Sequence, residues 1–117
     1  MAKQGVFLKS ELEKNLEKKS RLWAFSGSMT VFKLINIQDF LKSKNLKQEL
    51  AGVASWVLDF KLVSQMDTAG MAYVLACIRE AELSASGLDL VLINFPKEAE
   101  KLARAQGVFD FFKKFLN

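Results

Sequence analysis

The chain reads as an α/β fold: a single layer of about four mostly parallel strands with helices packed on it. Three observations predict this. Two apolar runs, Ser55–Phe60 and Leu88–Ile93, are nearly continuous, as in strands covered on both faces. A long segment with helical signals at both ends lies between them, and a second such segment follows. Strands that alternate with helices at these spacings lie parallel and are joined by right-handed crossovers.

The elements follow in order. In residues 1–20, Leu8, Leu12 and Leu16 recur every four residues among charges, which suits a helix. An edge strand near Leu12 with a turn through Asn15–Ser20 fits the same residues. Arg21–Phe25 reads as a short strand stopped by Ser26-Gly-Ser28. Thr30 is placed to cap a helix from Val31, with Leu34, Ile37 and Leu41 on one face. Residues 42–53 are mostly polar and form either a helix end or a long connection. After the strand Ser55–Phe60, Asp67 is an N-cap, and its helix runs to about Ser84 with Gly87 as the left-handed stop. Leu88–Ile93 is the next strand. Pro96 suits the first turn of a helix that Glu98 and Glu100 favour through its dipole and that Gly107 ends. In the apolar tail, Phe109, Phe111, Phe112 and Phe115 are expected to close the core. Residues 1–117 are expected to form one domain, with its core in 21–112.

Composition narrows the chemistry. The chain has 117 residues, one cysteine and no histidine. A Ser-His-Asp triad is thereby excluded, and a structural zinc site or a Cys/His dyad cannot be assembled within one chain. No apolar run approaches the roughly 18 residues of a membrane span, and the N-terminus lacks the apolar stretch of an export signal. A lone Cys77 fits a reducing compartment, so the expected location is cytoplasmic. The net charge of +4 is uneven: residues 1–50 hold ten Lys/Arg against five Asp/Glu. No aromatic-basic interleaving accompanies it, so nucleic acid is not the expected partner.

The informative segment is Asp59 through Met71. A buried strand leads through a short connection into a helix that opens Asp67-Thr68-Ala69-Gly70. Small residues there leave backbone N–H groups reachable, and the dipole makes that end partially positive. Thr68 thus displays a hydroxyl at the carboxyl end of the sheet, where α/β proteins tend to place ligands. Ordinary capping also accounts for Asp-Thr at a helix start. Next comes an eight-residue apolar run, Met71–Ile78. Met71, Val74, Leu75 and Ile78 are expected to face the sheet, leaving Tyr73, Ala76 and Cys77 on flanking positions, either covered by another helix or open beside Thr68. Asp59, Asp67 and Thr68 do not form a catalytic set, because no base tuned near neutrality accompanies a positioned nucleophile.

Several marks together resemble the STAS domain family (sulphate transporter and anti-sigma factor antagonist) over roughly residues 21–112. They are Phe25-Ser-Gly-Ser-Met-Thr30, Trp56–Phe60 with Met66–Met71, Gly87–Ile93, and Pro96…Leu102…Gly107-Val108…Phe111. The resemblance implies a non-enzymatic protein with no cofactor or metal. It places the partner-facing surface at Ser28, Thr30, Asp67, Thr68, Ala69, Gly70, Met71 and Tyr73. In size and layout the chain resembles the family's accessory subunits of intermembrane phospholipid ABC transporters. That implies the transporter's ATPase subunit as partner and contact with a membrane only through the complex. The matching hydroxyl in anti-sigma antagonists is a phosphorylated serine, which makes Thr68 the candidate phosphorylation site of the alternative role. The early motif often carries an acid where this chain has Thr30.

Overall fold

The structure is a computed structural model that describes residues 6–15, 18–30, 41, 43–83 and 87–117. Its elements are β1 (Val6–Asn15), β2 (Lys18–Met29), α1 (Ser43–Leu50), β3 (Ser55–Met66), α2 (Thr68–Leu83), β4 (Asp89–Ile93), α3 (Lys97–Ala105) and α4 (Phe109–Lys113). The four strands form one sheet in the order β1-β2-β3-β4. β1 runs antiparallel to β2, while β2–β3 and β3–β4 are parallel. The expected mostly parallel layer is therefore present, with an antiparallel strand added at one edge.

The N-terminal segment takes the strand reading. Leu8 and Leu12 satisfy a period of two as well as four, and ten residues of pairing with β2 fix the strand. β2 does not stop at Phe25. It continues to Met29 through two register shifts against β3, with Gly27 at φ 91°. β3 likewise passes Phe60 and ends at Met66. Of residues 42–53, those from 43 on resolve into α1 and a turn, and position 42 lies outside the described residues. The predicted helix from Val31 lies outside the described residues up to position 40, and Leu41 packs against the core.

The apolar runs predicted strands covered on both faces, whereas β3 and β4 bury one face more deeply than the other. Trp56, Leu58 and Phe60 are buried, whereas Val57 and Asp59 between them are only half-buried. β4 alternates in the same way, burying Leu90 and Leu92. The described helices pack on the face that carries Trp23, Phe25, Trp56, Leu58 and Phe60. A chain of aromatic contacts crosses this layer: Trp23 to Trp56 (4.9 Å), Phe25 to Phe60 (5.3 Å), Phe60 to Phe95 (5.2 Å) and Phe95 to Phe112 (5.3 Å). Burying each such ring contributes about 1.5–3 kcal/mol, so the layer ties β2 to β3 and, through Phe95, holds α4 against the sheet.

Polar contacts fix the ends. The Trp23 indole N–H and the Ser10 hydroxyl both donate to Glu49 Oε1, and Arg21 Nε donates to the Glu49 carbonyl. They tie α1 to β1 and β2. At the far edge, Leu92 N–H donates to the Phe115 carbonyl (2.8 Å) and Asn117 N–H to the Leu92 carbonyl (3.0 Å), so the tail lies along β4. Gly87 and Gly107 take φ near +70°, the left-handed stops that the sequence predicts after α2 and α3. The tail departs from expectation at one ring. Phe112 is buried and Phe109 and Phe115 are half-buried, but Phe111 is exposed. Successive residues of the α4 turn point about 100° apart, and only Phe112 of the pair 111–112 faces inward.

Candidate partner-binding site

The site begins where β3 loses a neighbour. β4 pairs with β3 only as far as Asp59–Ile93. Beyond that point β2 and β3 continue as a two-stranded ribbon, with Ser28 beside Gln65 and Met29 beside Met66. Asp59 marks the divergence: its Oδ1 accepts from Lys61 N–H and from Asn94 Nδ2, both at 2.9 Å. Asn94 holds φ 56°, so this bond braces the strand ends at a left-handed residue. Asp59 is thereby engaged in local backbone support.

The chain then turns into α2. Asp67 N–H donates to the Met29 carbonyl (3.3 Å), and Asp67 Oδ1 accepts from Gly70 N–H (3.1 Å). The second bond is the predicted N-cap and satisfies a first-turn donor that the helix leaves open. Gly70 is fixed by contact. A Cβ there would overlap the Met29 carbonyl oxygen and stand 2.6 Å from Met66 Cγ. Only a glycine lets the first turn rest on the ends of β2 and β3.

This packing sets what the turn displays. Thr68 is exposed. Its Oγ1 accepts a 3.0 Å hydrogen bond from Gln106 Nε2, which the end of α3 brings across. Asp67 and Ala69 beside it are half-buried, as are Ser28 and Thr30 at the end of β2. Gly70, Met71 and Tyr73 are buried, so the turn is supported from beneath by them and their side chains are not offered at the surface. Tyr73 is a correction to the expected stripe, as is Cys77. The buried set is Gly70, Met71, Tyr73, Val74, Cys77, Ile78 and Ala81, while Leu75 and Ala76 take the flanks. The stripe is rotated because the Gly70 contact dictates which side of α2 meets the sheet, and Tyr73 meets Phe25 edge-on (6.0 Å). Burial pushes the Tyr73 phenol and the Cys77 thiol upward, in Cys77 with a further push from Glu80. Neither is a nucleophile near neutral pH.

One contributor has no sequence signal pointing to the site. Gln106 is a polar residue before a helix-ending glycine, and only the packing of α3 beside α2 brings it to Thr68. Leu62 lies in the ribbon at 68% exposure, an apolar side chain in a stretch that reads as connection. The described residues contain no cluster of His, Cys, Asp and Glu able to hold a metal, and no helix among them is long and apolar enough to cross a membrane.

A mixed four-stranded sheet with an exposed hydroxyl at the start of its central helix defines a small α/β domain of a known kind. A sequence model of the STAS domain matches residues 7–117, and the chain belongs to that family. Solved structures agree on the fold. The anti-sigma factor antagonist SpoIIAA in its unphosphorylated form is 20% identical, with a TM-score of 0.62 over 93% of this chain and 86% of that one. The phosphorylated form of SpoIIAA, a Bacillus cell fate determinant, gives 20% identity and a TM-score of 0.61 over 93% and 89%. An uncharacterised DUF3478-family protein with a SpoIIAA-like fold, from Shewanella loihica, gives 12% and 0.52 over 93% and 84%. At such identities the likeness concerns the fold alone. No curated protein matches the chain.

Proposed function

We propose that this STAS domain is a non-enzymatic accessory subunit that binds and supports the ATPase of an intermembrane phospholipid ABC transporter, in the manner of MlaB with MlaF. The observation that carries the reading is the exposed Thr68 on a turn fixed by Asp67 and Gly70. A rigid turn costs little ordering on binding, and its exposed hydroxyl suits a hydrogen bond to a protein surface. The sequence Asp-Thr-Ala-Gly and the neutral Thr30 favour the transporter role over sigma-factor control. Binding supports the ATPase only through a difference in affinity between its two states. The protein would then be cytoplasmic and held at the inner membrane by its partner.

The second reading is an anti-sigma factor antagonist switched at Thr68. An accessible hydroxyl favours it, and a phosphate there would add about −1.5 to −2 charge. Affinity purification from the native cell separates the two. Recovery of an ABC ATPase with its permease supports the first. Recovery of a serine kinase, with a phosphate on Thr68 by intact mass, replaces it with the second.

A further inference from the structure

The two edges of the sheet are finished differently. β4 is closed by the chain's own tail through the Leu92–Phe115 and Asn117–Leu92 bonds. β1 is the other edge, and among the described residues no backbone bond or strand reaches its outer side. An open edge of this length is a template for another strand, and proteins normally blunt it with charges.

The charges on β1 do something more specific. We propose that β1 pairs antiparallel with β1 of a second copy, with Ser10 on the two-fold axis, to give a continuous eight-stranded sheet. Residues directly opposite in an antiparallel pair share a face. With Ser10 on the axis, Lys9 stands opposite Glu11 of the second copy and Glu11 opposite its Lys9. Lys9 and Glu11 are adjacent on one face, 2.9 Å apart and well exposed, so the four charges alternate around the axis. On the helix face, Leu8 meets Leu12 of the second copy, and Leu12 is half exposed in the single chain. Centring the pair on Lys9 instead opposes Lys9 to Lys9, and centring it on Glu11 opposes Glu11 to Glu11 while setting Lys9 against Glu13; like charges opposed on the axis disfavour both. Of these three registers only the one centred on Ser10 opposes no like charges, and this self-complementarity points to a second copy as the occupant. The contact is isologous, which closes at two copies and leaves no further edge. It uses no residue of the Thr68 surface and stands apart from the function proposed for that surface.

Charge swaps test the pairing. The variants Lys9→Glu and Glu11→Lys lie on exposed positions, and circular dichroism verifies that each is folded. Sedimentation across a concentration series should show the wild type as a dimer that dissociates on dilution. Each single variant should self-associate at least about tenfold more weakly, since like charges then face each other twice. An equimolar mixture of the two should recover the dimer, because each variant supplies the charge the other needs, while neither regains its own Lys9–Glu11 pair. A wild type that stays monomeric throughout, a single variant that dimerises as well as the wild type, or a mixture that stays monomeric would overturn the proposal.

Discussion

β3 is two regions in one strand. From Ser55 to Asp59 it is paired on both sides, and from Trp56 to Phe60 every second residue enters the core. From Lys61 to Gln65 it is paired with β2 alone, its register shifts, and most of its side chains are exposed until Met66 returns to the core. The strand runs on through these shifts while its neighbours differ. The first half spends its side chains on stability. The second half, freed of β4, carries the start of α2 and the Thr68 turn to the surface. In this molecule the display surface arises where one strand outlasts its partner.

Substitutions along this boundary sharpen the contrast. Phe60→Ala removes a ring stacked on Phe25 and edge-on to Phe95, and should cost about 3–5 kcal/mol in chemical denaturation. A loss below 1 kcal/mol would mean that the first half does not build the core. Gly70→Ala comes next. The added methyl meets backbone at Met29, which cannot swing aside, and overpacking of this kind costs about 1–3 kcal/mol. A neutral or stabilising result in thermal melts would show that α2 does not rest on the strand ends. Asp67→Ala removes the cap to Gly70 N–H and should lower stability by about 1 kcal/mol, with Asp67→Ser recovering most of it. At the small end, Leu62→Ser should change stability by less than about 0.5 kcal/mol, as expected of an exposed side chain away from the core. A large loss there would erase the distinction between the two halves.

The parts that were legible in the sequence carry local signals. Ser55–Phe60 and Leu88–Ile93 announce strands by apolar content, and Asp67, Gly87, Pro96 and Gly107 mark helix ends by side-chain and φ chemistry. The continuation of β3 was not legible. Lys61, Ser64 and Gln65 are polar, and what keeps them extended is the pairing with β2, a tertiary fact. β1 has the same cause: Leu8 and Leu12 fit both periods, and only β2 decides between them. Half of the site was readable, because capping requires Asp67 and displays Thr68. The inward turn of Tyr73 was not, since it depends on how closely Gly70 lets α2 approach Met29. Gln106 arrives from a separate helix and leaves no trace in the local pattern.

The claim that matters most is that the Thr68 turn receives a protein. Isothermal titration of the wild type and Thr68→Glu against the MlaF-type ATPase subunit tests it directly, with circular dichroism to show that both are folded. A charge placed in a tight contact should weaken binding at least tenfold, about 1.4 kcal/mol. Equal affinity for the two forms would contradict the assignment.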